Sequence, residues 1–256
     1  MGGYMGKILR VNLTTGEIRD EATNLDWAER FIGGAGLAAR YLWEHVTPDT
    51  DPLGPENPLI FMTGPLTGTA APSCGRFVVC ARSPLTGLWG ESNSGGFWGP
   101  ELKFAGYDGI LITGRAAEPV YLAIAEGKAV LRPASHLWGL DTYATQRAIK
   151  EEMGDRRARV ACIGAAGESR VKYAAIMNDH GRAAGRTGMG AVMGAKNLKA
   201  IAVLGHAPVP VADPDALRAA VDDILQFIQE DPASQVFRLM GTANGVILQA
   251  DIGDMP

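Results

Sequence analysis

Residues 178–201 read NDHGRAAGRTGMGAVMGAKNLKAI. Gly181, Gly185, Gly188, Gly190 and Gly194 fall within fourteen positions, interleaved with Arg182, Arg186, Lys196 and Lys199, and Asp179 is the one acid. Glycine weakens helix and strand interiors, so this density implies close backbone approach or positive-φ turns. Small residues also expose backbone N–H groups that bind anionic oxygens, and arginine adds forked, charge-assisted bonds. Two readings are open: a loop that holds an anion, or a glycine-rich turn between strands with solvated basic residues. Neither nucleotide template decides between them. The stretch is not G-x-G-x-x-G, and Ala195 before Lys196 with Asn197 after it breaks G-x-x-x-x-G-K-[ST].

Working outward, the pattern is β-rich. KILRVNL (7–13), a TTG turn and EIRD predict a hairpin. Apolar runs follow at LIFMTG (59–64), FVVCAR (77–82), GILITG (109–114), VYLAIA (120–125), AVLRPA (129–134), RVACIG (159–164), VKYAAIM (171–177) and LKAIAVLG (198–205). Helix is expected over 25–46, interrupted at Gly33-Gly34-Ala35-Gly36, and over 141–153, with Tyr143, Ala144 and Ala148 on one face. GPLTG (64–68) recurs as SPLTG (83–87), two tight turns with Pro at the first central position. Few helices interrupt the strands up to about residue 205, which excludes a regular βαβ array.

The character then changes. HAPVPVADPDA reads as a linker, Asp213 as an N-cap and Pro214 as the first helical residue. Leu217, Val221, Ile224, Leu225 and Ile228 form an apolar stripe at helical spacing, and a further short helix starts near Ser234. The expected organisation is α+β: a β-rich domain over 1–207 and the beginning of a helical domain over 213–256.

The chain has 256 residues, 46% of them hydrophobic, enough for a sizeable core. There are 24 basic and 28 acidic residues, a net charge of −4, which argues against nucleic acid as a partner. Cys74, Cys80 and Cys162 are too widely spaced for a zinc or cluster motif. Their odd number argues against a disulfide scaffold and suits a reducing cytoplasm. Cys80 and Cys162 lie in apolar runs and read as buried hydrophobes. No signal peptide and no membrane-spanning stretch are expected.

Other glycine motifs compete for an anion. Gly34-Ala35-Gly36-Leu37-Ala38-Ala39 matches G-x-G-x-x-A but follows a helical pattern, where a dinucleotide fingerprint needs a strand; a nicotinamide enzyme is therefore disfavoured. CIGAAGES (162–169) follows a strand but reads as a simple turn. The segment 71–114 shifts the balance. It holds Arg76 beside small residues in SCGR and a second backbone-exposing loop, Asn93-Ser94-Gly95-Gly96. Two such loops, each with arginine in its segment, suit a large polyanionic ligand.

Taken together, KILRVNLTTG, GGAGLAARYL, GPLTGT-x-AP, SPLTG, SNSGG-x-x-GPELKFAGYDGILITG and IMNDHGRAAGRTGMGAVMGAKNLKAIAV span about residues 5–205, and their combination is specific. The chain resembles the N-terminal part of the tungsten-containing aldehyde ferredoxin oxidoreductases. That resemblance implies a β-rich base built from two sheets, on which lies a tungsten (or molybdenum) bis-pterin cofactor whose phosphates are joined through magnesium. It places Arg76 between a pterin and an iron–sulfur cluster. It assigns the backbone carbonyls of Asn93 and Ala183 to magnesium, and Ser94, Gly95, Gly96, Arg182, Ala184, Gly185 and Arg186 to the cofactor's surroundings. Backbone donors and arginine forks suit a flat phosphorylated ligand, and magnesium takes carbonyl and phosphate oxygens.

The resemblance further implies oxidation of an aldehyde to a carboxylic acid with ferredoxin as electron acceptor. The family's cluster-binding cysteines, for a 4Fe–4S centre, have no counterpart here, and no catalytic acid or base can be named. The chain is thus expected to be a fragment, a truncated gene product or one piece of a split enzyme. The alternative is a non-catalytic subunit or remnant that assembles with a separate cluster-binding chain.

Overall fold

A computed structural model of the chain describes residues 2–254. The last two positions of the expected helical region, 255 and 256, lie outside the described residues. The chain divides into two compact units. One takes the residues up to Thr69 together with Ser73–Ala212, and the other Ala70–Pro72 with the residues from Asp213 onward.

In the first unit the elements run β1 (Lys7–Asn12), β2 (Glu17–Ala22), α1 (Leu25–Phe31), α2 (Gly34–Trp43), β3 (Leu59–Thr63), β4 (Phe77–Arg82), β5 (Trp89–Ser94), α3 (Trp98–Phe104), β6 (Gly109–Thr113), β7 (Val120–Ala125) and β8 (Lys128–Pro133). They continue through a 3₁₀ turn (Ser135–Leu137), α4 (Thr142–Met153), β9 (Arg159–Cys162), α5 (Ala165–Glu168), β10 (Ile176–Asn178), β11 (Arg182–Ala184), α6 (Met189–Ala195) and β12 (Leu198–Leu204). Two six-stranded sheets result, in the orders β2-β1-β6-β3-β4-β5 and β11-β10-β9-β12-β7-β8. Each is mixed, with one parallel pair, β1 with β6 and β12 with β7.

Alternation along the strands explains why so many read as unbroken apolar runs. Leu9, Phe61, Val79 and Ile110 of the first sheet and Leu122, Ala161, Ile201 and Val203 of the second point into one shared core, with Trp98 of α3 and Val192 of α6. The opposite faces are covered too. Ile8, Ile60, Val78 and Leu111 pack on Leu37, Ala38 and Tyr41 of α2. Tyr121, Val160, Cys162 and Ala200 pack on Ile149 of α4. A strand buried on both faces shows no polar alternation.

The hairpin of β1 and β2 forms as expected, with Lys7 opposite Ala22. Both PLTG turns close, Thr67 N on the Gly64 carbonyl at 3.2 Å and Gly87 N on the Ser83 carbonyl at 2.8 Å. Several expectations need correction. The break between the first two helices falls at Ile32 and Gly33, with Gly34 to Gly36 inside α2. The buried face of α4 is Thr145, Gln146 and Ile149, while Tyr143 is 54% exposed. Of 171–177 only Ile176 and Met177 are in a strand, because only there do β9 and β11 supply partners. β5 and β11 escaped notice because a short polar edge strand carries no apolar run. α3 and α6 did so because Gly and Pro punctuate them. Six helices therefore lie among the strands of this unit, more than the sequence pattern suggested.

The second unit holds α7 (Pro214–Glu230), α8 (Pro232–Met240), a 3₁₀ turn (Thr242–Gly245) and α9 (Val246–Asp251). The Asp213 carboxylate caps α7 at Ala216 N, 2.9 Å away, with Pro214 in the first turn as expected. Of the apolar stripe, Val221 is buried, while Ile224, Leu225 and Ile228 are exposed. No helix among the described residues is long and apolar enough to cross a membrane.

Candidate functional site

Of the expected loop 93–96, Asn93 and Ser94 end β5, the edge strand of the first sheet, and only Gly95 and Gly96 lie beyond it; Arg182–Ala184 form β11, the edge strand of the second. The two edges lie against each other and are joined by side chains. Arg186 N donates to Ser92 Oγ at 2.9 Å, and Thr187 Oγ1 donates to the Glu91 carbonyl at 3.1 Å. Ser94 Oγ donates to Asn178 Oδ1 at 2.6 Å, and Asn178 Nδ2 returns a bond to the Gly95 carbonyl at 2.9 Å. The two backbone-exposing loops that the sequence singled out are thus neighbours, on one rim of the two-sheet unit.

Arg76 joins them. A Cβ on Gly95 would lie 3.8 Å from Arg76 Nη1, so the guanidinium stands over that loop. The Arg76 carbonyl is held by Thr67 Oγ1 at 3.3 Å. Arg76, Asn93, Arg182, Ala183, Gly185 and Arg186 are exposed along this rim, and Gly95 and Gly96 are half-buried. Two of the expected residues turn inward. Ser94 is spent on Asn178, and Ala184 sits in the shared core, so neither offers a side chain to a ligand.

The other half of the quoted stretch has a different fate. Lys196 and Lys199 are buried, not solvated. Lys196 Nζ donates to the carbonyls of Pro55 and Gly114, each at 3.1 Å, and burial pulls its ammonium down to about 8. Lys199 Nζ bonds Glu168 and the Leu140 carbonyl, the latter at 2.9 Å. Residues 189–195 form α6, which is wholly buried, and a Cβ on Gly194 would overlap the Gly167 carbonyl. The glycines of this half serve close packing between chain segments, and only Gly181 and Gly185 border open space.

Cys80 and Cys162 are buried as expected, and burial pushes the Cys162 thiol up to about 12 and the Cys80 thiol well above its usual value. Neither is a ready thiolate ligand at neutral pH. Among the described residues no three His, Cys, Asp or Glu side chains converge to hold a metal ion. The 34–39 motif lies within α2 and follows α1, so it lacks the strand a dinucleotide loop requires.

The rim offers exposed cationic side chains, Arg76, Arg182 and Arg186, beside small-residue backbone, and the acid on β5, Glu91, accepts from Asn93 Nδ2 at 2.9 Å. The Glu91 carbonyl faces away from β4, toward Thr187, and carbonyl direction alternates along a strand, so the Asn93 carbonyl faces the same way. The residues present fit a phosphate-bearing, flat ligand with a hard cation among its oxygens. The sequence reading did not single out Asn178 and Asp179, whose side chains tie residues 94–98 to the β10–β11 hairpin. Asp179 was legible only as the one acid in a basic stretch.

The family described as aldehyde ferredoxin oxidoreductase, N-terminal domain, matches residues 8–205. A tungsten-containing aldehyde ferredoxin oxidoreductase of Pyrococcus abyssi is 50% identical over 234 residues, which is 91% of this chain and 39% of that protein. The WOR-like subunit of an aliphatic sulfonate oxidoreductase of Pyrococcus furiosus is 35% identical, over 96% of this chain and 41% of that protein. Among solved structures, the active site complex BamBC of benzoyl coenzyme A reductase with 1,5-dienoyl-CoA matches with a TM-score of 0.87 and 44% identity, over 89% of this chain and 35% of that one. The chain spans 39–41% of the length of these curated relatives. Across both sheets and the rim where their edges meet, it belongs to the aldehyde ferredoxin oxidoreductase family, as that family's N-terminal domain.

Proposed function

We propose that this chain is the cofactor-bearing N-terminal part of an oxidoreductase of the aldehyde ferredoxin oxidoreductase type. The observation that carries this reading is the convergence of the 93–96 loop, β11 and Arg76 on one rim. Arg76, Arg182 and Arg186 hold phosphate and pterin oxygens by charge-assisted bonds. The backbone of Gly95, Gly96, Ala183 and Gly185 lies close to the ligand. The carbonyls of Asn93 and Ala183 offer oxygen ligands to magnesium. The tungstopterin supplies the two-electron redox chemistry when bound; the chain's own residues bind and orient it. The overall reaction is oxidation of an aldehyde with water to a carboxylic acid, releasing two protons and two electrons, with ferredoxin as acceptor. A 4Fe–4S cluster would draw its ligands from outside this chain.

The test is to produce the chain with a supply of tungstopterin and measure tungsten and pterin per mole of protein. Retention of both supports the reading, and a folded chain that never retains pterin overturns it. The exposed Ile224, Leu225 and Ile228 of α7 favour a second reading beside it, in which the chain is a subunit that assembles with a separate cluster-binding chain. Co-production of such a chain would then yield a stable complex, broken by Leu225→Asp.

A further inference from the structure

We propose that Asp179 is the positioning residue that sets the separation of the two loops, holding the 93–98 segment and the 182–186 edge so that both address one ligand. The inference rests on the site reading above and adds the element that would make two loops into one site.

Asp179 begins the short turn between β10 and β11, where Asn178 is paired with Arg182. Its φ is +43° and that of His180 is +67°, a left-handed pair that glycine would adopt more readily. Such backbone persists where surrounding contacts over-determine it, and here they do. The Asp179 side chain is 9% exposed. Its Oδ2 accepts from Phe97 N at 2.7 Å, Trp98 N at 3.1 Å and Asn178 Nδ2 at 3.0 Å, and its Oδ1 faces Arg159 Nη1 at 3.3 Å. One carboxylate on the second sheet's hairpin therefore caps the chain as it leaves the first sheet's loop.

The opposite loop is shaped to receive it. Gly96 has φ +94°, and a Cβ there would stand 2.5 Å from Asp179 Oδ2 and 3.1 Å from Asn178 Nδ2. Only glycine leaves both the backbone conformation and the space that the carboxylate occupies. Trp98, just beyond, is fully buried and donates its indole N–H to the Ile201 carbonyl at 3.1 Å, so the segment Asp179 grips is itself anchored to β12. Asp179 does not face the open rim; it acts through the backbone it holds.

Amide hydrogen exchange on the whole chain tests this without any ligand. Removing the carboxylate in Asp179→Ala frees the amides of Phe97 and Trp98 and, through Asn178 and Arg159, unpins the turn that leads into β11. Exchange should accelerate about tenfold or more, the scale of one charge-assisted hydrogen bond, in both 95–98 and 182–186, with β7 and β12 unchanged. Gly96→Ala, which leaves the carboxylate but displaces it, should give the same paired pattern. Asp179→Asn keeps an acceptor oxygen and tolerance of the left-handed turn, so it should restore most of the protection; Gly96→Ala carries the test if the alanine variant does not fold. Acceleration confined to Phe97 and Trp98, or acceleration of the whole unit together, would sink the proposal. Tungsten and pterin content is then measured on the same variants. Loss in Asp179→Ala with recovery in Asp179→Asn supports positioning for the ligand, and unchanged content overturns it. A wild-type chain that retains no pterin counts against the site reading alone, and the exchange pattern still decides whether Asp179 couples the loops.

Discussion

Residues 178–188 and 189–201 share a composition and differ in almost everything else. Both are rich in glycine and alanine, and each carries two basic side chains. In the first half Arg182 and Arg186 stand exposed on a sheet edge. In the second, Lys196 and Lys199 are among the most completely buried side chains of the chain, within and beside a buried helix and a central strand. The difference shows that a basic, glycine-rich stretch is not one kind of object. Arginine at an edge is available to a ligand. Lysine in the interior is tied to carbonyls or to a buried carboxylate, and its glycines let segments touch.

Four substitutions, in three tests, probe that division in falling order of effect. Lys199→Met leaves the Glu168 carboxylate, 8% exposed, without its cation, while the lysine side chain it replaces is fully buried. Breaking a buried pair from one side costs about 3–5 kcal/mol, so chemical denaturation should show a loss of that order. A loss below about 1 kcal/mol, the range of exposed pairs, would mean that the pair is effectively solvated.

Lys196 makes the second test through pH. Its ammonium is held to about 8 in the folded chain against 10.5 for the ordinary group, chiefly by burial. Between those values the unfolded chain binds more protons, so stability rises with pH. The destabilising contribution is fully present below pH 8 and gone above 10.5. The shift corresponds to roughly 3 kcal/mol as an upper scale. Denaturation at pH 7.5 and 10 should therefore show the wild type gaining stability relative to Lys196→Met. Parallel profiles would refute the buried ammonium.

The smallest effect on stability belongs to the exposed half. Arg182→Ala and Arg186→Ala should change stability by no more than about 0.5 kcal/mol, as exposed substitutions do. They should nonetheless lower pterin retention measurably when the chain is produced with tungstopterin. If they unfold the chain as Lys199→Met does, the two halves are not different in kind.

Much of the fold was legible. β3, β4, β6, β7, β9 and β12 coincide with apolar runs, because strands buried on both faces must be apolar along their length; β1 and the largely exposed β8 coincide with runs as well. The N-cap at Asp213 and the two PLTG turns follow from local chemistry. The rim was legible only in part. Arg76, Asn93 and Arg182 could be singled out from small-residue loops. The inward turn of Ser94 and Ala184 could not, because it depends on which face of an edge strand meets the neighbouring sheet.

Sequence alone determined most of the strands, the α7 cap, the two PLTG turns and, through motifs spread over about residues 5–205, the family. These rest on local periodicity and short-range hydrogen bonding, which a linear chain carries with it. Tertiary structure decided the rest. MGAVMGA has poor intrinsic helicity and becomes α6 because its glycines pack against other segments. Lysines became interior because carbonyls and Glu168 were there to meet them. Asp179 acquired its place because two sheet edges far apart in sequence were brought within the reach of one carboxylate. Burial and electrostatic partnership are properties of assembled surfaces, and no local pattern encodes which surface a residue will meet.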